Sequence, residues 1–217
     1  MKRYLAVAVF VTVAVLGANV HAQQGTGGQG TGLYIGGHFG LNILDDPDFE
    51  QPQFGFVAST SFDAGLGVGG VIGYDFGMVR VDAEIAYRHN EISDFFGVDA
   101  DGSATALSYM INGYFDISTG GPVTPYIGGG IGFATVSWND VEIPAFFFTL
   151  PVADDDDSVL AYQFSAGIGY EINPRTTVTF GYRFFATEDP EMVDAFGDPF
   201  TTEYQSHEFN VGVRLLL

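Results

Sequence analysis

Residues 80–88 read RVDAEIAYR, with Arg80, Asp82, Glu84 and Arg88 at alternate positions and Val81, Ala83, Ile85 and Tyr87 between. A period of two marks a β-strand with two chemically opposed faces. The pattern recurs down the chain. In 33–44, Leu33, Ile35, Phe39, Leu41 and Ile43 oppose Tyr34, His38, Asn42 and two glycines. In 62–74, Leu66, Val68, Ile72 and Tyr74 oppose Gly65, Gly67, Gly69 and Gly73. Leu107, Tyr109, Ile111 and Phe115 oppose Ser108 and Asn112, and Ile127, Ile131 and Phe133 oppose Gly128, Gly130 and Gly132. Leu160, Tyr162, Phe164, Ile168 and Tyr170 oppose Gln163, Ser165, Gly167, Gly169 and Glu171. Val178, Phe180, Tyr182 and Phe184 oppose Thr177, Thr179 and Arg183, and Phe209, Val211, Val213, Leu215 and Leu217 oppose Glu208, Asn210, Gly212 and Arg214. The spacing predicts eight strands over 33–44, 62–74, 78–88, 104–115, 123–138, 159–172, 176–185 and 204–217. The start of the fifth, PYIGGG, can be phased either way. Helical periodicity is not convincing anywhere.

The connections are of two kinds, in turn. DFG (75–77), DISTGGP (116–122) and NPR (173–175) are short; 45–61, 89–103, 139–158 and 186–203 are long. Strict alternation is what an up-and-down meander gives when its two ends face different compartments, as in transmembrane barrels with short periplasmic turns and longer outer loops.

The first 22 residues read as a cleaved export signal: Lys2 and Arg3, the apolar run 4–17, and Val20-His21-Ala22 as a small-residue cleavage site. QQGTGGQGTG (23–32) reads as a flexible leader, and 33–217 as the folded domain. No later segment approaches the ~20 apolar residues of a spanning helix, so entry into a bilayer requires strands. Cysteine is absent, which excludes disulfides and thiol chemistry. Beyond the signal the cations are Arg80, Arg88, Arg175, Arg183 and Arg214, against 27 acids in the whole chain. That balance argues against nucleic acid.

Alternation alone fits a soluble barrel with its apolar face inside or a membrane barrel with that face outside. Four features select the membrane. The polar face is glycine-rich and lysine-free, as a narrow lumen requires; Tyr and Phe cluster near strand ends; long and short connections alternate; and the apolar alternation runs to Leu217. On this reading Val81, Ala83, Ile85 and Tyr87 face lipid. Arg80, Asp82, Glu84 and Arg88 face the lumen, where they neutralise each other together with Glu171, Arg183, Glu208 and Arg214. The expectation is an all-β, eight-stranded antiparallel up-and-down transmembrane β-barrel with three short periplasmic turns and four long acidic outer loops.

GLYIGGHFGLN (32–42), GVGGVIGYDF (67–76), RVDAEIAYR (80–88), INGYFD (111–116), TPYIGGGIGFA (124–134), FSAGIGYEINPRTTVTFGYRF (164–184) and SHEFNVGVRLLL (206–217) together resemble the small eight-stranded outer-membrane barrels, such as the OmpA membrane domain and the opacity-protein relatives. The resemblance implies a bacterial outer-membrane location, both mature termini on the periplasmic side, and contact with outer-membrane lipid, lipopolysaccharide and the barrel-assembly machinery. It also assigns an insertion signal to Phe209, Val211, Val213, Leu215 and Leu217. Such proteins usually end in an aromatic residue, whereas this sequence ends in Leu217.

The four long connections hold 20 of the 27 acids and no Lys or Arg. DDPDFE (45–50), ADDDDS (153–158) and EDPE (188–191) are the densest runs, and they read as a solvated fringe or as a divalent-cation surface; no EF-hand spacing is present. IPAFFFTL (143–150) reads as a strand pair extended above the membrane or as an apolar patch for a partner, with Trp138 as an interfacial anchor. Ser206-His207-Glu208 invites a hydrolase triad, but neighbours on a strand point to opposite faces. His38 reads as a lumen residue, and GLGVGG and IGGGIG lack the helix that a phosphate loop needs. No catalytic, cofactor or metal residues are assigned. The functional expectation is a structural, surface-interacting barrel contacting an extracellular partner or the environment. The alternatives are a small cation-preferring channel or carrier of small apolar molecules and, more remotely, a lipid-modifying hydrolase.

Overall fold

The computed structural model describes residues 30–45, 48–51, 56–95, 98–99, 101–145, 148–188, 191–193, 199–201 and 204–217, and side chains for 30–45, 63–91, 102–137, 157–188 and 204–217. The expected signal and most of the leader lie outside the described residues. The side chains of Trp138 and of 143–150 do so as well.

Eight strands form the wall: β1 (Gly32–Leu44), β2 (Gly65–Asp75), β3 (Val79–Phe95), β4 (Asp101–Asp116), β5 (Val123–Ala145), β6 (Phe148–Asn173), β7 (Thr176–Thr187) and β8 (Gln205–Leu216). Each pairs antiparallel with the next. The last closes on the first, from Tyr34↔Leu216 to Leu44↔Ser206. Closure satisfies the backbone of every wall strand, which an open sheet in hydrocarbon could not do. Short strands at Asp48–Gln51, Phe56–Phe62, Val98–Asp99, Glu191–Val193 and Pro199–Thr201 lie in the connections at one end.

The faces follow the sequence pattern, including the fifth strand, where Ile127, Ile131 and Phe133 point out and Tyr126 points in. Several strands run further than the alternation predicts. β5 and β6 are 23 and 26 residues long, against an expected 16 and 14. The ladder continues past the apolar belt, and above the belt nothing demands that the two faces differ in polarity.

The molecule is apolar outside and ionic inside. Phe39, Leu66 and Ile131 are 65%, 65% and 68% exposed, whereas Arg88 and Glu208 are 0% and 1%. On β1 the outward apolar positions run from Leu33 to Ile43. At about 3.3 Å per residue and a tilt near 40°, that run covers roughly 25 Å of bilayer.

Lumen glycines make the narrow interior possible. A methyl at Gly67 would stand 2.8 Å from Glu208 Oε2, and one at Gly69 would stand 2.5 Å from His38 Cε1. A large polar side chain on one strand thus sits in the gap left by a glycine on its neighbour.

At the opposite end from the long connections the turns are tight. Gly77 takes φ +101°, donates its N–H to Asp75 Oδ1 at 2.7 Å, and lets Phe76 N–H reach Val79 O at 2.9 Å. Asn173 Oδ1 accepts from Arg175 N–H at 2.9 Å across Pro174. Phe76 and Met78 project outward from the first of these turns.

Candidate functional site

The inward charges of RVDAEIAYR find their partners on other strands. Same-face neighbours along a strand are ~7 Å apart, whereas side chains from facing walls of a narrow barrel meet directly. Arg183 on β7 reaches Glu84 on β3 with Nη1 2.8 Å from Oε1 and Nη2 3.2 Å from Oε2. The same Nη1 stands 3.6 Å from Glu208 Oε1, and Arg88 Nε stands 3.3 Å from Glu208 Oε2. Two arginines and two glutamates therefore form one chain, Arg88–Glu208–Arg183–Glu84. Asn210 donates to Glu208 at 3.2 Å, and Arg88 donates to Ser108 Oγ at 3.0 Å while its guanidinium lies 4.0 Å over the Phe185 ring.

An amide layer completes this plug. Asn112 Nδ2 donates to Glu84 Oε2 at 2.9 Å and to Asp82 Oδ1 at 2.8 Å; Gln163 Nε2 donates to Asn112 Oδ1 at 2.6 Å. Asp82 also accepts from the Tyr34 hydroxyl at 2.7 Å. Arg80 makes a two-pronged pair with Asp116, at 2.6 and 2.9 Å, below the Tyr114 ring. Arg183 Nη1 lies 3.1 Å from His38 Nε2. An arginine cannot accept, so that bond requires the bare, accepting nitrogen of a neutral imidazole.

Arg214 and Glu171 lie toward the short-turn end of the lumen. The Arg214 guanidinium lies 5.5 Å over the Tyr34 ring. Glu171 is half-buried at the short-turn end, where with Asp75, Arg175, Thr177 and Arg214 it lines a cavity of about 10 Å³. A larger cavity of about 70 Å³ lies deeper, among Tyr34, His38, Arg80, Asp82, Arg183 and Arg214. It has room for a few waters, and its walls mix charged side chains with Val71, Val213 and tyrosine rings.

The alternation alone misses Asp116, because the sequence reading ends the strand at 115 and begins the turn at 116. Its signal was present: it continues the inward phase of Ser108, Asn112 and Tyr114. Tyr34, Asn112 and Gln163 were placed on the inward face but not in the network. Of the proposed insertion residues, Phe209, Val213, Leu215 and Leu217 are exposed on the outer face, and Val211 is half-buried there.

Ser206 and Glu208 are buried inside, whereas His207 lies on the outer face. There His207 Nδ1 is 2.6 Å from Tyr182 Oη, and Nε2 is 3.3 Å from Asp45 Oδ1. The tripeptide is therefore split by the wall. Among the described residues, no group of three or more His, Asp or Glu is placed to hold a metal ion.

An apolar belt around a closed, antiparallel, charge-filled cylinder defines a β-barrel that lives in a bilayer. The chain belongs to the outer membrane protein beta-barrel domain family, whose profile matches residues 9–215. It is therefore an integral protein of the bacterial outer membrane. It is 26% identical over 215 residues to an uncharacterized protein of Brucella abortus (strain 2308), covering 76% of this chain and 75% of that one. It is 25% identical over 206 residues to outer membrane protein PagN of Salmonella typhimurium, covering 85% and 83%. Among solved structures it is similar in fold to Neisserial surface protein A, with a TM-score of 0.54 at 16% identity, covering 87% of this chain and 100% of that one.

Proposed function

We propose that this barrel has a structural and surface-contact role, in envelope integrity, adhesion or environmental contact through its four long acidic loops, and is not an enzyme. In this reading residues 1–22 are a cleaved signal and 23–32 a leader. The three short turns and both mature termini face the periplasm, and the long connections face outward. Arg80, Asp82, Glu84, Arg88, Glu171, Arg183, Glu208 and Arg214 act as a structural lumen network. Phe209, Val211, Val213, Leu215 and Leu217 present the barrel to the assembly machinery.

The observation that carries this reading is the plug. The chain Arg88–Glu208–Arg183–Glu84, with Asn112 and Gln163, fills the lumen between facing walls. A filled cylinder is a scaffold for its loops more readily than a conduit. Detergent-folded mature protein in planar bilayers is expected to give no stable ion-selective steps, while intact cells displaying it gain attachment to a surface that a loop-deleted variant loses. Stable steps, or attachment independent of the loops, would replace this reading.

The runner-up is a small cation-preferring channel. The two cavities, which both touch Arg214 and extend from the short-turn end, support a water path, and the cation preference rests on the acidic connections alone, because arginines line both cavities. Against a carrier of apolar molecules stand the charged side chains of Arg80, Asp82, Arg183 and Arg214 that border the larger cavity. Against the hydrolase reading stands the outward His207. Lipid turnover that disappears in His207→Ala would restore it.

A further inference from the structure

The inward positions of the wall change character toward the long connections. On β7 the inward step after Arg183 is Phe185, and on β8 the steps before Glu208 are Ser206 and Tyr204. On β6 the step before Gln163 is Ala161, and on β1 the step after Asn42 is Leu44. Leu44 is 5% exposed, and Val136, Ala161, Phe185 and Tyr204 are at most 1%. Phe185 and Tyr204 meet edge to face with ring centroids 6.0 Å apart, and the Phe185 ring covers the Arg88 guanidinium at 4.0 Å. In so narrow a barrel these side chains fill the cross-section. The ion-pair chain is therefore overlaid, on its long-connection side, by an aromatic and aliphatic cap.

The short-turn side differs. The cavity of about 70 Å³ reaches Arg183, the cavity of about 10 Å³ lies at the short-turn end, and Arg214 borders both. Arg183 Nε is buried and has no hydrogen-bond partner among the described residues, and Arg183 borders the larger cavity. A buried donor at a cavity wall calls for an acceptor oxygen. Thr179 and Asn210 add polar groups to the same wall, and a polar space of this size holds water. Arg80 and Arg183 already hold Asp116 and Glu84, so a neutral guest suits the space better than an ion. The Thr187 and Ser206 hydroxyls beside the cap also lack a partner among the described residues, but neither of these cavities borders them. Their burial is a cost of keeping that layer dry.

We propose that the lumen is a one-ended vestibule. Water and small neutral hydrogen-bond acceptors enter from the short-turn end as far as Arg183, and the cap of Phe185 and Tyr204 closes the lumen toward the long connections. The inference rests on the filled-lumen reading above and is independent of the surface-contact role.

The test uses the absence of cysteine, which makes one introduced thiol the only one in the chain. Residues 23–217 are folded in nanodiscs and labelled with methyl methanethiosulfonate, a small neutral reagent. Each rate is read by mass and normalised to the same variant unfolded in urea. Thr179→Cys, on the larger cavity, should label within about tenfold of Ser118→Cys in the exposed turn, because access sets the rate. Ser206→Cys, beside the cap, should label at least about a hundredfold more slowly. Adding Tyr204→Ala should raise the Ser206→Cys rate more than about tenfold and leave Thr179→Cys unchanged; Phe185→Leu replaces it if that chain shows no heat-dependent gel shift. Thr177→Met, which narrows the smaller cavity, should slow Thr179→Cys alone. Equal rates at the two sites, protection of both, or a Ser206→Cys rate unmoved by opening the cap would overturn the proposal. So would a Thr179→Cys rate that responds to the cap and not to Thr177→Met. Failure of the filled-lumen reading shows separately, as conductance of the unchanged chain in planar bilayers.

Discussion

Arg183 and Glu84 meet across the diameter of the barrel. They come from β7 and β3, four strands apart in a wall of eight, and Arg183 Nη1 lies 2.8 Å from Glu84 Oε1. The pair ties opposite walls together across a lumen that also buries Asn112, Gln163, Arg88 and Glu208. Both side chains are nearly fully buried, at 6% and 0% exposure, so neither can fall back on bulk water if the other is removed.

Removing one partner should therefore cost far more than the pair contributes. Arg183→Ala leaves Glu84 and Glu208 in the lumen without that cation, and loss of about 3–5 kcal/mol is expected. Adding Glu84→Gln should recover part of it. A double-mutant cycle on urea unfolding in detergent measures both; additive losses would show that the strut is energetically idle.

The Arg80–Asp116 pair tests geometry instead of charge. Its two parallel bonds, at 2.6 and 2.9 Å, need a planar fork. Arg80→Lys keeps the charge and gives up one bond, so a loss of about 1.5–3 kcal/mol is expected. An unchanged unfolding midpoint would mean that the second bond contributes nothing.

Glycines on the two faces should differ in tolerance. Gly69 faces the lumen, where a side chain would run into His38, whereas a Cβ on Gly113 meets nothing within 4 Å. Gly69→Ala must displace the end of the His38 side chain and should lower the midpoint of the heat-dependent gel shift. Gly113→Ala should leave the shift intact. Equal behaviour of the two would argue against close packing of His38 on Gly69.

The belt predicts a depth dependence. Ile85→Arg places a cation on the outward face of β3 near mid-height and should cost about 2–4 kcal/mol. Spin labels at Val81 and Ile85 should report acyl chains, and labels at Asp82 and Glu84 should not. The reverse result would turn the cylinder inside out.

Much of this barrel was legible in the chain because the period of two fixes which face each residue takes. Strand number, strand order and the outward run Leu33–Ile43 all follow from that rule. Partners did not follow from it. Arg80, Asp82, Glu84 and Arg88 read as neutralising each other together with Glu171, Arg183, Glu208 and Arg214, with no assignment of which meets which; Glu84 meets Arg183 and Arg88 meets Glu208 within that set, whereas Arg80 pairs with Asp116 outside it. Which residues meet across the lumen depends on the stagger of the whole sheet, and alternation along a single strand carries no record of stagger. The upper ends of β5 and β6 were short in the sequence reading for a related reason. Outside the bilayer a strand needs no alternation, so its pattern disappears while its ladder continues.

The confinement of arginine to the interior also sets how the folded protein meets trypsin, which cuts after basic residues. Among the described residues, Arg80, Arg88, Arg183 and Arg214 are sequestered behind the wall, and only the Arg175–Thr176 bond, in a tight turn, is offered to solvent. Unfolded, residues 23–217 should break into six peptides, while the assembled barrel should be nicked once or left whole, so a simple digest reports whether the cylinder has closed.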